Sequence, residues 1–408
     1  MKTVALNSSS YFNKSILQIS IFNILVITGT IFLFSLVSLP AILFIPFCVS
    51  ALTLFLGPFK AAPAIILTYV GFDGMLKILS GYNPVIHVAS DLLVVLLCIR
   101  WLIFVAFSRS SLNFKLPPFW VFFLIHAMWV SLEILNPYGI GLVPGIAAYK
   151  IYASFLTLYF FTYSFFDKVS DLRSMFVLAI IILTVESILS IYQFNLGASS
   201  VLALSPNYAK PMNDIFVGKQ FRPFGTAATP GGASTWLFLS TPLVVAFTSM
   251  DKKMFKKIVL IALIIVVIYA LFVCQIRSAM LKAVAGSIAA YIVIFWRKPV
   301  RLFAGALVGG LFYLSFQLIL TIDDPQMKTA QARYEAINSI RSITSSRGHG
   351  VVENILYIWE NAPFGIGLSR TGAAAKVFEE KISSNPYFGV EWMFADNLYK
   401  AFREYCGF

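Results

Sequence analysis

The chain has 408 residues, of which 59% are hydrophobic and only 12% charged. That is about half the charge of a soluble globular protein, which excludes water as the main solvent and leaves lipid. The formal net charge of +13 sits in short clusters between apolar runs instead of along one soluble face, so nucleic acid is excluded as a partner and membrane topology accounts for the basic residues.

From the N-terminus, Lys2 and Lys14 flank a segment whose first apolar run meets no small-residue cleavage site before Pro40, so it reads as an uncleaved first span. Apolar runs near 20 residues recur from there on, each long enough to cross roughly 30 Å of hydrocarbon as a helix. They place spans at residues 16–37, 41–58, 62–79, 84–107, 119–135, 146–166, 175–195, 231–249, 258–276, 279–296 and 302–321. Another begins near Asn397 and meets the end of the sequence at Phe408, about 12 residues into a segment that needs roughly 20, so a fragment or an incomplete last helix is expected. No short alternating segments of a closed barrel are visible. The expected fold is therefore all-α, a polytopic transmembrane bundle of about 12 spans. Its parts are a bundle over 1–321 with a loop at 196–230, a large loop over 322–395, and the start of a final span at 396–408.

If the N-terminus is cytoplasmic, the cytoplasmic connections hold twelve basic residues, from Lys60 through the Lys252, Lys253, Lys256 and Lys257 cluster to Arg301, and the short outer turns hold one, Arg277. This bias sets the orientation. The same alternation puts both long connections, 196–230 and 322–395, on the outer face, and long loops in compact proteins are usually functional. Within the second, Val351, Val352, Ile355, Leu356, Ile358 and Trp359 have helical apolar spacing before Pro363, Gly365 and Gly367 break it. That pattern predicts an amphipathic helix on the membrane face.

Ionisable residues inside spans are costly and count as functional candidates. Asp73 and Lys77, four apart on one helix, are placed to neutralise each other, while Arg100 and Glu186 lie deeper. Arg277 stands in the turn CQIRSAM on the outer face, and Lys150 and Arg222 fall at the same depth. A guanidinium fork matches two phosphate oxygens at once and cannot deprotonate, and three cations converging there, two of them guanidinium groups, suit a pyrophosphate. His87 and His126 lie in apolar runs and read as core residues. His349, in the outer loop, is a candidate for proton transfer or a solvated loop residue. Asp396 opens the last segment as a helix N-cap or as a general base. Cys48, Cys98, Cys274 and Cys406 have no CxxC spacing and read as packing residues; no metal and no cofactor is expected.

Four segments in order carry a resemblance: FRPFGTAATPGGASTWLFLSTPL, CQIRSAMLKAVAG, SSRGHGVVENILYIWENAPFGIGLSRTG and ADNLYKAFREYCGF. They resemble the arginine-glycine-proline segment, the serine-arginine turn, the arginine–helix–proline-phenylalanine-glycine loop and the start of the following span in the bacterial O-antigen ligase and O-antigen polymerase superfamily. The resemblance covers at least residues 146–408. It implies a metal-independent glycosyltransferase of the inner membrane, its active site periplasmic, acting on an undecaprenyl-pyrophosphate-linked oligosaccharide. The implied acceptor is a second glycan for a polymerase or a lipid A core for a ligase, and a chain-length regulator protein is a further expected partner. It assigns donor pyrophosphate binding to Arg222 and Arg277, with Arg347 as a third residue. The ligase branch has a histidine as base where this chain has Asp396, which favours a polymerase joining repeat units. A flippase for the lipid-linked sugar is the reading from a different class, and it requires a charged cavity across the membrane and repeated halves. Neither is visible here.

Overall fold

The computed structural model describes residues 13–81, 83–107, 115–136, 141–149, 156–204, 216–217, 220–251, 253–303 and 305. In chain order the helices are α1 (Lys14–Val37), α2 (Ile45–Leu56), α3 (Ala62–Leu79), α4 (Pro84–Phe107), α5 (Trp120–Ile134), α6 (Leu142–Tyr149), α7 (Leu156–Phe165), α8 (Val169–Leu204), α9 (Ala233–Met250), α10 (Met254–Cys274) and α11 (Arg277–Phe295). A two-residue antiparallel ladder pairs Phe216–Val217 with Gln220–Phe221. Two compact units divide the chain, one of Met1–Leu102 with Phe166–Ala336 and the other of Ile103–Phe165 with Ile337–Phe408.

Seven of the described helices are long and apolar enough to cross a membrane: α1, α3, α4, α8, α9, α10 and α11. The chain is thus an all-helical protein of membrane type. The spans expected at 62–79 and 84–107 coincide with α3 and α4, and those at 16–37, 175–195, 231–249, 258–276 and 279–296 fall on α1, α8, α9, α10 and α11. Three others differ. The segment expected at 41–58 is a 3-10 turn, Pro40–Phe44, followed by the 12-residue α2, and α5 has 15 residues. The segment at 146–166 contains α6 and α7, with residues 150–155 outside the described set. Most of the span from 302, the loop 322–395 with its expected helix, and the segment 396–408 also lie outside it.

In the first unit, α1, α3 and α8 share a dry cluster of Ile16, Ile27, Ala64, Phe72, Leu178 and Ile182. Lipid is as apolar as these side chains, so hydrophobic burial gives little preference for helix over lipid and polar ties must add specificity. The buried Asn23 of α1 supplies one, its Oδ1 accepting from the Ser50 hydroxyl of α2 at 3.0 Å. On the other side of the unit, α9 packs against α8, α10 and α11, and Gly286 of α11 leaves room for the ring of Pro242 within α9.

A larger tie joins the starts of α1, α3 and α8. Lys60 Nζ stands 3.1 Å from Asp167 Oδ2 and 3.2 Å from Asp171 Oδ2. Asn13 Nδ2 donates to Asp171 Oδ1 at 2.7 Å, and the Asn13 amide N–H donates to Ser174 Oγ at 3.0 Å. The Asp171 side chain is 1% exposed, and although Lys60 is a third exposed and keeps Asp167, removing Asp171 takes the acceptor from Asn13 Nδ2 and half of the ion-pair cluster. The substitution Asp171→Ala should cost ~1–3 kcal/mol, read as a lower midpoint of thermal unfolding in detergent; an unshifted midpoint would show that the tie contributes nothing.

Candidate functional site

The site begins with a loop that does not stay on the surface. The sequence reads 196–230 as an outer connection, but α8 runs to Leu204 with a break at Gly197 (φ 77, ψ 172), and the stretch 221–232 enters the first unit. Phe221, Pro223, Phe224, Gly225, Thr226, Pro230 and Gly231 are all buried. Thr226 reaches Gly71, eight residues short of the end of α3 at Leu79, which is about 12 Å along the helix axis.

Irregular backbone at that depth has no water to bond, so protein groups must supply every partner. A polar stripe on α8 supplies them. Glu186, Ser190 and Gln193 recur at helical spacing, one above the other; Glu186 is 0% and Gln193 6% exposed. Gln193 Oε1 accepts from the N–H groups of Phe224 (3.1 Å) and Gly225 (2.8 Å), and its Nε2 donates to the Gly225 carbonyl (2.9 Å). Glu186 Oε2 accepts from Thr226 N–H at 2.9 Å, and the Thr226 hydroxyl is hydrogen-bonded to Glu186 Oε1 and to the Gly71 carbonyl oxygen.

Close approach is possible because glycine stands at each crossing. A Cβ on Gly74 would lie 2.2 Å from the Ala228 nitrogen and 2.3 Å from the Ala227 carbonyl carbon, backbone atoms that cannot step aside. A Cβ on Gly225 (φ +63) would lie 2.1 Å from Glu186 Oε2, and the positive φ alone disfavours any other residue.

The neck of the loop is closed by Gly231 N–H donating to the Pro223 carbonyl at 2.8 Å. Arg222 sits at this neck. A Cβ on Gly231 would meet Ile276 Cδ1 at 2.8 Å, Arg222 Nη2 at 2.9 Å and the Cys274 carbonyl oxygen at 3.1 Å. Guanidinium, loop neck and the α10–α11 turn therefore meet at one place. The turn itself is two residues, Gln275 in the left-handed region (φ 58) and Ile276 as the cap of α11, whose first residue is Arg277. Neither α9 nor α11 carries a side-chain hydrogen bond at its N-terminal cap, Gly232 or Ile276. The amides of Gly232, Ser234 and Thr235 at the start of α9 donate to the carbonyls of Thr229, Gly231 and Gly232, while the first turn of α11 and the Cys274 carbonyl at the end of α10 lie at the side of Arg222. The Arg222 Nε is buried and has no hydrogen-bond partner among the described residues.

Three other cations of the unit have partners within the protein. Lys77 Nζ lies 2.6 Å from Asp73 Oδ2, the pairing expected from their spacing. Arg100 donates to the carbonyls of Leu54 and Gly57 at the C-terminal end of α2 and stacks over the Phe59 ring at 4.0 Å, the favoured place for a cation. Lys282 lies 5.1 Å from the centre of the Phe238 ring. His87 and His126, expected in the core, are instead exposed on α4 and α5, because apolar runs in a membrane protein cover lipid-facing surface as well as the interior. Of the expected site residues, the structure brings Arg222 beside the turn that leads into Arg277; Lys150, Arg347, His349 and Asp396 lie outside the described residues.

Comparison of the chain with protein-family models, with curated proteins and with solved structures finds no match.

Two substitutions test the seating of the loop. Thr226→Val removes the one hydroxyl shared by Glu186 Oε1 and the Gly71 carbonyl oxygen and should cost ~1–3 kcal/mol. Gly74→Ala forces backbone apart at the α3 crossing and should cost ~1–3 kcal/mol. Thermal unfolding of the purified protein measures both, and wild-type midpoints would mean that the loop is not held where it is seen.

Proposed function

We propose that the protein is a bacterial inner-membrane glycosyltransferase that joins lipid-linked glycan repeat units on the periplasmic face, a polysaccharide polymerase using an undecaprenyl-pyrophosphate-linked donor. The observation that carries this reading is the Arg222 guanidinium, its buried Nε without a hydrogen-bond partner among the described residues, at the loop neck beside the turn that opens α11. Helix N-termini and a guanidinium together favour a multiply charged anion such as a diphosphate. The position of Arg277 as the first residue of α11 adds a second guanidinium-bearing residue to the same end of the same helix. The resemblance of four ordered segments to the O-antigen polymerase and ligase superfamily supports the same choice.

In the reaction, a hydroxyl of the acceptor glycan attacks the anomeric carbon of the donor sugar. The bond between that carbon and the pyrophosphate oxygen breaks, and the lipid pyrophosphate leaves with the electron pair. Arg222 and Arg277 stabilise the charge that gathers on the leaving group as the bond lengthens, the kind of contribution that depends on donors fixed in advance. The acceptor proton passes to a base, for which Asp396 and His349 are the candidates. No metal is needed in this scheme, since the cationic groups belong to the chain.

Arg222→Ala and Arg277→Ala should each lower polymer formation by about 10²–10³-fold, with Arg222→Lys retaining more activity than Arg222→Ala. The assay supplies lipid-linked repeat units to the purified protein in nanodiscs and resolves the products on a gel. A full ladder from both alanine variants would remove the diphosphate role. Transfer to a lipid A core without any ladder would indicate a ligase, and movement of lipid-linked sugar across a vesicle without any glycosidic bond formed would indicate a flippase.

Orientation has its own test. In intact spheroplasts, a membrane-impermeant maleimide should label a cysteine placed at Gly81 and should reach one placed at Lys252 only after permeabilisation. The reverse pattern would put the Arg222 loop on the side of the membrane without polymer acceptors.

A further inference from the structure

Gln193 lies one turn before the break at Gly197, and its amide makes three hydrogen bonds to two consecutive loop residues. The orientation of that amide is set by its partners: two N–H groups face Oε1 and one carbonyl faces Nε2. Among uncharged side chains only an amide offers an acceptor and a donor on one planar end, and asparagine is a methylene too short to span the same gap. Gln193 thus acts on the loop as a neighbouring strand would act on its partner.

The connection from Gln193 to Arg222 is short and stiff. Phe224 N–H is held by Gln193 Oε1. The residue before it, Pro223, has a φ fixed by its ring, and its carbonyl is held by Gly231 N–H. Arg222 follows directly, its Nη2 against Gly231. Little torsional freedom remains between the amide of α8 and the base of the arginine side chain. A guanidinium recognises phosphate through the geometry of its fork, so small changes in its bearing matter more than they would for a point charge.

We infer that Gln193 is a positioning residue for diphosphate recognition, setting the angle at which Arg222 presents its guanidinium. The inference rests on the diphosphate reading of Arg222 and extends it to a residue of α8 that touches no substrate. If Gln193 only satisfies buried backbone groups, its replacement will change stability, and any change in affinity will be the same whatever occupies position 222.

The test is a double-mutant cycle on the full chain in nanodiscs, titrated with inorganic pyrophosphate and followed by calorimetry, with thermal unfolding measured in parallel. Gln193→Glu keeps both accepting contacts and removes the donated one. It should weaken pyrophosphate binding about tenfold, a coupling within the range seen for residues that share a network. In an Arg222→Lys background, where the fork is already lost, the same change should weaken binding less than about twofold. Equal weakening in both backgrounds, or wild-type affinity with a lowered unfolding midpoint, overturns the inference. Should Gln193→Glu fail to give a monodisperse sample, Gln193→Asn, which keeps both groups but shortens their reach, enters the same cycle with the same expected outcomes. An Arg222→Ala protein that binds pyrophosphate as the wild type does would overturn the diphosphate reading itself, whatever Gln193 does. Loss of binding in Arg222→Ala with an unaffected Gln193→Glu would overturn only the positioning role.

Discussion

Backbone amides and carbonyls in an apolar interior must find partners within the protein, and a loop that penetrates a helical bundle meets this demand without the internal bonds of a helix. Here three consecutive residues, Phe224, Gly225 and Thr226, take their partners from Gln193, Glu186 and the Gly71 carbonyl. The crossing at Gly74 brings the loop within backbone contact of α3. Because an unpartnered buried polar group costs more than a made bond gains, such a network holds one arrangement strongly against near alternatives. The position of Arg222 follows from that network, since its neighbours on the C-terminal side are the residues so held.

The same accounting separates the arginine at the loop neck from three other cations of the first unit. Lys60 faces two carboxylates, Lys77 one, and Arg100 two carbonyl oxygens and a ring. Each of these three has a structural reason for its charge. Arg222 lies beside the Cys274 carbonyl at the C-terminal end of α10, and its buried Nε finds no acceptor among the described residues.

Much of the helical framework was legible in the sequence because its signal is strong and local. Runs such as 62–79 and 84–107 are long, apolar and bounded by proline or glycine, and α3 and α4 match them. The Asp73–Lys77 pair followed from spacing on one helix. The burial of 221–232 was not legible, since FRPFGTAATPGG has the composition of any loop and burial of irregular chain leaves no periodicity. A signal did exist elsewhere. Glu186, Ser190 and Gln193 form a polar stripe in an otherwise apolar helix, and on α3 Gly74 leaves room for the backbone of Ala227 and Ala228. Reading them needed the knowledge that one segment fills the space between the two helices, which is a tertiary fact. Predicted depth places Arg222 and Arg277 alike, and the loop of Arg222 does lie against the turn that leads into Arg277, but depth does not reveal what holds them.

α8 relates the two ends of this arrangement. Its first turn carries Asp171 and Ser174, which take hold of α1 and of Lys60 just before α3, and its later turns carry Glu186 and Gln193. From Asp171 to Glu186 is fifteen residues of unbroken helix, roughly 22 Å at 1.5 Å per residue. The helix is therefore clamped to α1 and to the start of α3 at one end, while at the other it grips a loop that also rests on α3. Two attachments to α3 so far apart resist both sliding and rotation of α8, because either movement would break bonds at both ends together. The break at Gly197 comes after the last of these polar contacts, and beyond it Ala198 and Val201 still pack with Phe221 and Phe224 of the loop. Polar ties before the break and apolar packing after it together explain how a loop of ordinary composition, with glycine where crowding demands it, is held in one place.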